Sequence, residues 1–386
     1  HSFPTRRSSD LNMKVLVAGD FCQRFRVNEK IEQKEFGSMF DTIKPIISAC
    51  DIKVVNFEFP IVTETGKTIK KIGPTLKGSE FAVEAVKYAG FNVCTLANNH
   101  ILDQGEACCL ETKDLLEKGG IFTVGVGIDL NDAARILYIE SEGRKLAIIN
   151  CCENEFSVAT ESTAGSNPLL PIQQFYKIQE AKENADYVLV IVHGGIEHYQ
   201  LPTSRMIETY RFFIDAGADA VVNHHQHCYS GYERYKSKPI IYGLGNLLFD
   251  NPNCRNGIWN DGYMVELNFE AEEIEFSLHP YTQCNEEPTI RLMTENQKNQ
   301  FERSIEELNC TIASPVEINK ALDAYSKKMR KFVLSAFTPW TNRLLLAAFV
   351  RGFLPSFLSA KRILNIKNRI SCESHYDLTI RELKRK

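Results

Sequence analysis

The stretch "AVVNHHQHCYSGY" (residues 220–232) places three of the chain's nine histidines within four positions, directly behind a β-branched run. Two readings are open: a metal cradle, or a polar turn rich in imidazole. The choice turns on whether the rest of the chain repeats the arrangement. Strand-like runs recur at 14–18 ("KVLVA"), 52–56 ("IKVVN"), 92–97 ("NVCTLA"), 145–150 ("KLAIIN"), 187–192 ("YVLVIV"), 219–223 ("DAVVN") and 239–244 ("PIIYGL"). Amphipathic stretches between them read as helices: one closing on Gly90, one on Gly119, and one running from the N-cap residue Thr203 to Gly217. This alternation predicts an α/β fold with largely parallel pairing.

Nearly every strand is followed at once by polar residues. Asp20 follows the first; Asn56 ends the second, with Glu58 beyond it. Asn98, Asn99, His100 and Asp103 follow the third; His193 and Glu197 follow "VLVIV"; Asn223 to His227 follow "AVV"; and Asn246 and Asp250 follow "IIYGL". In parallel α/β architectures the carboxyl ends of strands converge on one crevice, so these groups can share a site.

Taken singly, each has a plainer reading. Asp20 after a glycine suits a turn or helix cap, and the glycine pair after His193 is ordinary in a loop. His225 and His227 are stronger, because alternate residues on an extended segment aim their side chains the same way. His224 then faces the other side, toward a supporting or substrate-contacting duty. As a set, imidazole with carboxylate and amide oxygens suits hard or borderline divalent ions such as Mn, Fe or Zn. Two such ions activate a water and clamp the oxygens of an in-line displacement at phosphorus. The pair needs a bridging carboxylate, and Glu58 is the best-placed candidate. The glycines of "TVGVGID" (123–129) match neither a dinucleotide fingerprint nor a Walker loop. His279 and His375 lie outside the clusters and receive no catalytic role.

Composition narrows the classes. The 45 Lys and Arg nearly balance the 49 Asp and Glu, which gives no electrostatic footprint for nucleic acid. Twelve scattered cysteines without a C-x-x-C pair read as reduced thiols rather than a disulfide framework. Residues 1–12 ("HSFPTRRSSDLN") lack an apolar signal core and read as a non-native leader, with Met13 the expected start. The apolar run "LLLAAFVRGFLPSFL" (344–358) is too short and too interrupted to span a bilayer, and reads as packed helices or an interfacial segment. Near residue 285 strand-like texture gives way to charged helical sequence such as "TENQKNQFERSIEEL". One domain is therefore expected over 13–285, with a helical C-terminal region over 286–386.

The ordered series "VLVAGDF", "VVNFEFPIV", "TLANNHILDQG", "VHGGIEH", "VVNHHQHCYSGYE" and "IYGLGNLLFD" resembles the CapA proteins of poly-gamma-glutamate capsule synthesis, a branch of the calcineurin-like metallophosphoesterase superfamily. The resemblance implies a four-layer α/β/β/α sandwich with two divalent metal ions at the strand ends. By position it implies Asp20, Glu58, Asn99, His193, His225 and His227 as metal ligands. It makes His100 the residue that assists the leaving group, with Asp103 orienting it. Asn56, Asn98, Glu197, His224 and Asn246 are then left for substrate. The series departs from the superfamily pattern at Cys22, where a histidine is usual, and at Ile101, Asn223 and Gln226.

Two functions from different classes follow. In the first, a metal-dependent phosphoesterase uses a metal-bound hydroxide on a phosphate-ester or polymer-linked substrate. In the second, the chain is a non-hydrolytic accessory subunit of a membrane-bound polymer synthase, its metal site structural or vestigial. Either is expected on the cytoplasmic side, peripheral to the membrane.

Overall fold

Val15 and Val17 alternate with Leu16 and Ala18 along the first strand, and all four are fully buried. A strand apolar on both faces must be covered on both. The computed structural model shows what covers it, describing residues 13–64, 66–141, 143–269, 274–383 and 385. The leader expected at 1–12 lies outside the described residues.

The strands are β1 (Met13–Cys22), β2 (Ile52–Phe57), β3 (Val93–Thr95), β4 (Phe122–Val124), β5 (Val126–Gly127), β6 (Leu137–Ser141), β7 (Arg144–Cys152), β8 (Gly165–Ser166), β9 (Tyr187–His193), β10 (Ala220–His224), β11 (Tyr232–Tyr235), β12 (Lys238–Ile241), β13 (Asn246–Phe249), β14 (Asp261–Phe269), β15 (Ile274–Gln283) and β16 (Ile290–Leu292). The helices are α1 (Arg26–Glu32), α2 (Phe36–Phe40), α3 (Lys44–Ser48), α4 (Phe81–Ala89), α5 (Glu106–Lys118), α6 (Leu130–Ala133), α7 (Pro171–Asn184), α8 (Ser204–Asp215), α9 (Glu295–Ile312), α10 (Pro315–Ser335), α11 (Arg343–Val350), α12 (Ala360–Ser371) and α13 (Glu373–Leu383).

One sheet runs β16-β15-β14-β1-β2-β3-β4, with β13 also pairing β1; the other runs β11-β12-β10-β9-β7-β6. Within them β1 to β4 are mutually parallel, as are β7, β9, β10 and β12. Val15, Val17, Ile52 and Val54 of the first sheet meet Leu146, Ile148, Leu189, Ile191 and Val222 of the second. On the outer face of the first sheet, Leu16, Ala18 and Val55 pack against Val27, Phe40, Val86 and Leu116 from α1, α2, α4 and α5. On that of the second, Ala147, Val188, Val190 and Val221 pack against Ile178, Tyr210 and Phe213 from α7 and α8. The four layers α/β/β/α therefore follow from period-two alternation with both faces apolar.

The sequence reading passed over β14 to β16. They form an antiparallel meander added beside β1, registering Met13 with Phe269 and Val17 with Val265. Expected caps are present: Gly90 takes the left-handed conformation after α4, and Thr203 Oγ1 accepts the Met206 N–H at the start of α8.

The chain divides into two compact units, residues up to Ile318 and residues from Asn319. The first runs past residue 285 because α9 lays Phe301 and Ile305 into the core between the sheets. The second holds most of α10 and all of α11 to α13. Among the described residues, no helix is long and apolar enough to cross a membrane.

Candidate metal centre

Parallel strands of both sheets end at one place, and short local devices turn their polar side chains toward it. In β1 the register with β2 shifts between Ala18 and Asp20. Gly19 permits this, since a Cβ there would lie 2.0 Å from the Gly245 carbonyl oxygen. The bulge re-aims Asp20, whose carboxylate accepts from Asn56 Nδ2 at 2.7 Å and from the His225 N–H at 3.2 Å. Glu58 lies just past β2, its N–H donating to the Phe21 carbonyl at 3.0 Å.

His225 and His227 converge by a route different from the one expected. The segment is not extended: β10 stops at His224, and His225 and His227 have φ of 90° and 55°. A left-handed turn, tied down by Gln226 Nε2 donating to the Tyr199 carbonyl at 2.9 Å, brings the two rings within 6.0 Å. Asn246 Oδ1 accepts from His227 Nδ1 at 2.9 Å, which leaves Nε2 facing Glu58.

The expected ligands come together. Among the described residues, Asp20, Glu58 and His227 form one cluster of donor atoms within 4.8 Å of each other; Glu58, His193 and His225 form a second; Glu197, His225 and His227 form a third. Glu58 Oε1 lies 3.7 Å from His193 Nε2 and 3.6 Å from His227 Nε2. These separations exceed hydrogen-bond length. They match the spacing of about 3.4 Å between two ligands roughly 2.1 Å from one tetrahedral ion. Asn99 Oδ1 is 3.1 Å from His193 Nε2, so it sits with the second cluster. Glu58 Oε1 is buried without a hydrogen-bond partner, an orphaned acceptor that a cation satisfies and no neighbouring donor does. The residues present therefore fit a divalent metal.

The charges show the same demand. Burial pushes the Glu58 carboxyl well above the usual carboxylate range, and the adjacent Asp20 charge adds to it. Asp20 is buried as well, but the nearby His227, His224 and His193 rings outweigh that cost and hold its carboxyl below the usual range. Burial opposes charge on His227 too, yet Glu58 and Asp20 raise it to about 10. His193 and His225 are pushed down by burial and by neighbouring imidazoles, which keeps them neutral and able to ligate. A divalent cation beside Glu58 and Asp20 reverses this penalty by favouring both ionised carboxylates.

His100 Nδ1 bonds Asp103 Oδ2 at 2.6 Å, and burial holds the imidazole below its ordinary pKa despite that carboxylate. Lys71, which the sequence reading passed over, completes this group: its Nζ donates to Asp103 Oδ1 at 2.7 Å and to the Asn99 carbonyl at 3.1 Å, with a side chain only 3% exposed. No local pattern marked it, since it arrives on a loop remote from any strand end. Glu155, also missed, accepts from Asn99 Nδ2 at 3.1 Å. Trp259 walls the site 4.7 Å from the His227 ring.

Asn56, Asn98, His224 and Asn246, expected to contact substrate, are buried. Asn98 Nδ2 donates to the Phe57 carbonyl at 2.9 Å, and its Oδ1 accepts the His100 N–H at 3.1 Å. His224, 2% exposed, has Nε2 2.9 Å from the Ala18 carbonyl. Of these four, Asn56 and Asn246 bond the cluster side chains of Asp20 and His227. Glu197 is the exposed member of the set, its carboxyl held below the usual range because nearby imidazoles, His227 foremost, outweigh its partial burial. Among the described residues Cys22 belongs to no donor cluster, and it packs in the apolar layer between sheet and helices. Asp250 is clamped by Arg26, with Nη2 to Oδ1 at 2.7 Å, and serves as a strut.

The capsule biosynthesis protein CapA of Bacillus anthracis is 31% identical over 255 residues, 64% of this chain and 62% of that protein. The PGA biosynthesis protein CapA of Bacillus subtilis strain 168 is 32% identical over 245 residues, 63% of this chain and 64% of that protein. The match thus spans less than two thirds of each relative's own length. A phosphatase structure from Mycoplasma pneumoniae aligns with 71% of this chain and 95% of its own at 15% identity, with a TM-score of 0.42. Residues 14–251 match the family described as bacterial capsule synthesis protein PGA_cap, and the chain belongs to that family.

Proposed function

We propose that this chain is a metal-dependent phosphoesterase of the calcineurin-like type, acting in the assembly or export of poly-gamma-glutamate or a related cell-surface polymer. The observation that carries the reading is Glu58, a buried carboxylate common to two donor clusters, which is the arrangement a dinuclear centre needs. Asp20 and His227 would hold one ion, Asn99, His193 and His225 the other, with Glu58 between them. When bound, such a pair activates a water and neutralises phosphoryl oxygens. The chain's own groups do the rest. Asp103, paired with Lys71, fixes His100 through Nδ1 and stabilises the imidazolium formed when Nε2 takes up a proton from solvent, which Nε2 then passes to the departing oxygen. Asn246 orients His227, and Glu197 stands exposed beside the imidazoles where substrate would enter. The names of the Bacillus relatives support the polymer setting.

The test is metal analysis of the purified chain with a panel of phosphate mono- and diesters. The expected result is about two transition ions per chain (Mn, Fe or Zn) and hydrolysis that chelation abolishes. Hydrolysis that survives complete chelation sinks the reading.

One observation favours a second reading. With Cys22 in the apolar layer, the Asp20 cluster has three donors among the described residues, a set suited to a weakly held or structural ion. The chain would then be a non-hydrolytic accessory subunit of a membrane-bound polymer synthase. Bound metal without turnover, together with stable capture of the synthase, selects it.

A further inference from the structure

Residues 319–386 hold fifteen of the chain's 45 Lys and Arg but only four of its 49 Asp and Glu. The remainder of the chain is acidic in balance, so the excess is local. In the same unit apolar side chains point outward: Leu344 is 79% exposed, Phe353 79% and Leu364 66%. No residue of α12 or α13 is buried. Along α12, Ile363, Ile366 and Ile370 recur at helical spacing with Arg362, Lys367 and Arg369 beside them. Trp340, its Nε1 donating to the Pro355 carbonyl at 2.8 Å, stands 5.5 Å from Phe357, an aromatic pair of the kind that settles at a headgroup boundary.

We infer that this C-terminal unit docks on an anionic lipid surface, its apolar side chains entering the headgroup boundary while Lys and Arg meet lipid phosphates. Two features select that partner together. Nucleic acid accounts for the basic charge but leaves the apolar side chains exposed. A second copy of the unit covers apolar surface but sets fifteen basic residues against fifteen. An anionic bilayer satisfies both. The eight-residue α11, about 12 Å long, can lie in an interface but not cross it.

The test is co-sedimentation of the full chain with vesicles of phosphatidylglycerol and phosphatidylcholine, against phosphatidylcholine alone. Binding is expected to the anionic vesicles, on the order of tenfold or more above the neutral ones, and to weaken as salt rises from roughly 0.1 to 0.5 M. Reversing α12 (Lys361→Glu, Arg362→Glu, Lys367→Glu, Arg369→Glu) should cost about tenfold or more, with circular dichroism and metal content as folding controls. Leu344→Ser with Phe353→Ser should weaken binding while keeping its salt dependence. Equal binding to both vesicle types, or no loss in either variant, overturns the inference. So does a dimer in light scattering that stays off vesicles, which assigns the apolar surface to a second copy.

Discussion

Glu58→Gln is expected to stabilise the metal-free protein and to destabilise the metal-loaded one, an inversion that a purely structural carboxylate would not produce. Without a cation, Glu58 Oε1 is buried and unpartnered and its carboxyl is raised well above the usual range by burial and by Asp20. A carboxyl whose native pKa is raised binds its proton more tightly when folded. Its contribution is therefore intact below the unfolded value of about 4.3 and is lost as pH rises through the native value. Glutamine keeps the shape and carries no charge, so the variant's advantage should be absent at pH 4 and present at pH 8. An unsatisfied buried group costs about 1–3 kcal/mol. For a unit of this size, 2 kcal/mol corresponds to a rise in Tm of roughly 3 °C. With metal at about a hundredfold over Kd, the parent gains about 2.7 kcal/mol by mass action. The variant, having lost the ligand common to both clusters, should gain little. The assay is differential scanning calorimetry at pH 4 and pH 8, with chelator and with Mn or Zn. A lower Tm for the variant in chelator at pH 8, or an undiminished gain from metal, refutes the reasoning.

Three further outcomes are expected. His100→Ala should leave metal content near normal and slow hydrolysis of an aryl phosphodiester by roughly 10²- to 10⁴-fold; unchanged turnover removes its proton-transfer role. Asn246→Ala frees His227 Nδ1 from its 2.9 Å acceptor and should weaken metal affinity by about 10- to 100-fold, read by competition with a chromogenic chelator. Burial pushes the Asp261 carboxyl up to about 6, so its ionisation costs stability as pH rises from about 4 through 6. Asp261→Asn should thus gain up to about 2 kcal/mol at pH 8 and almost nothing at pH 4, measured by urea unfolding at both; equal effects would contradict the sign.

The α/β class and the place of the site were legible in one dimension because both rest on local rules. Apolar alternation marks a strand, the absence of a polar face marks it as doubly covered, and polar residues after parallel strands land at one crevice. Asp20, Glu58, Asn99, His193, His225 and His227 could be singled out as ligands because the ordered motifs that hold them resemble those of a known family. Only the tertiary structure decided how they are aimed. The His225–His227 turn is left-handed rather than extended because Gln226 is held from the Tyr199 carbonyl, a partner remote in sequence. That Asn56, Asn98, His224 and Asn246 are buried also had to come from the tertiary structure, because burial depends on what packs above them. Lys71 reached Asp103 on a loop that no periodicity marks. Strand position is written in nearest-neighbour chemistry; a side chain's duty depends on contacts whose sequence separation carries no local signal.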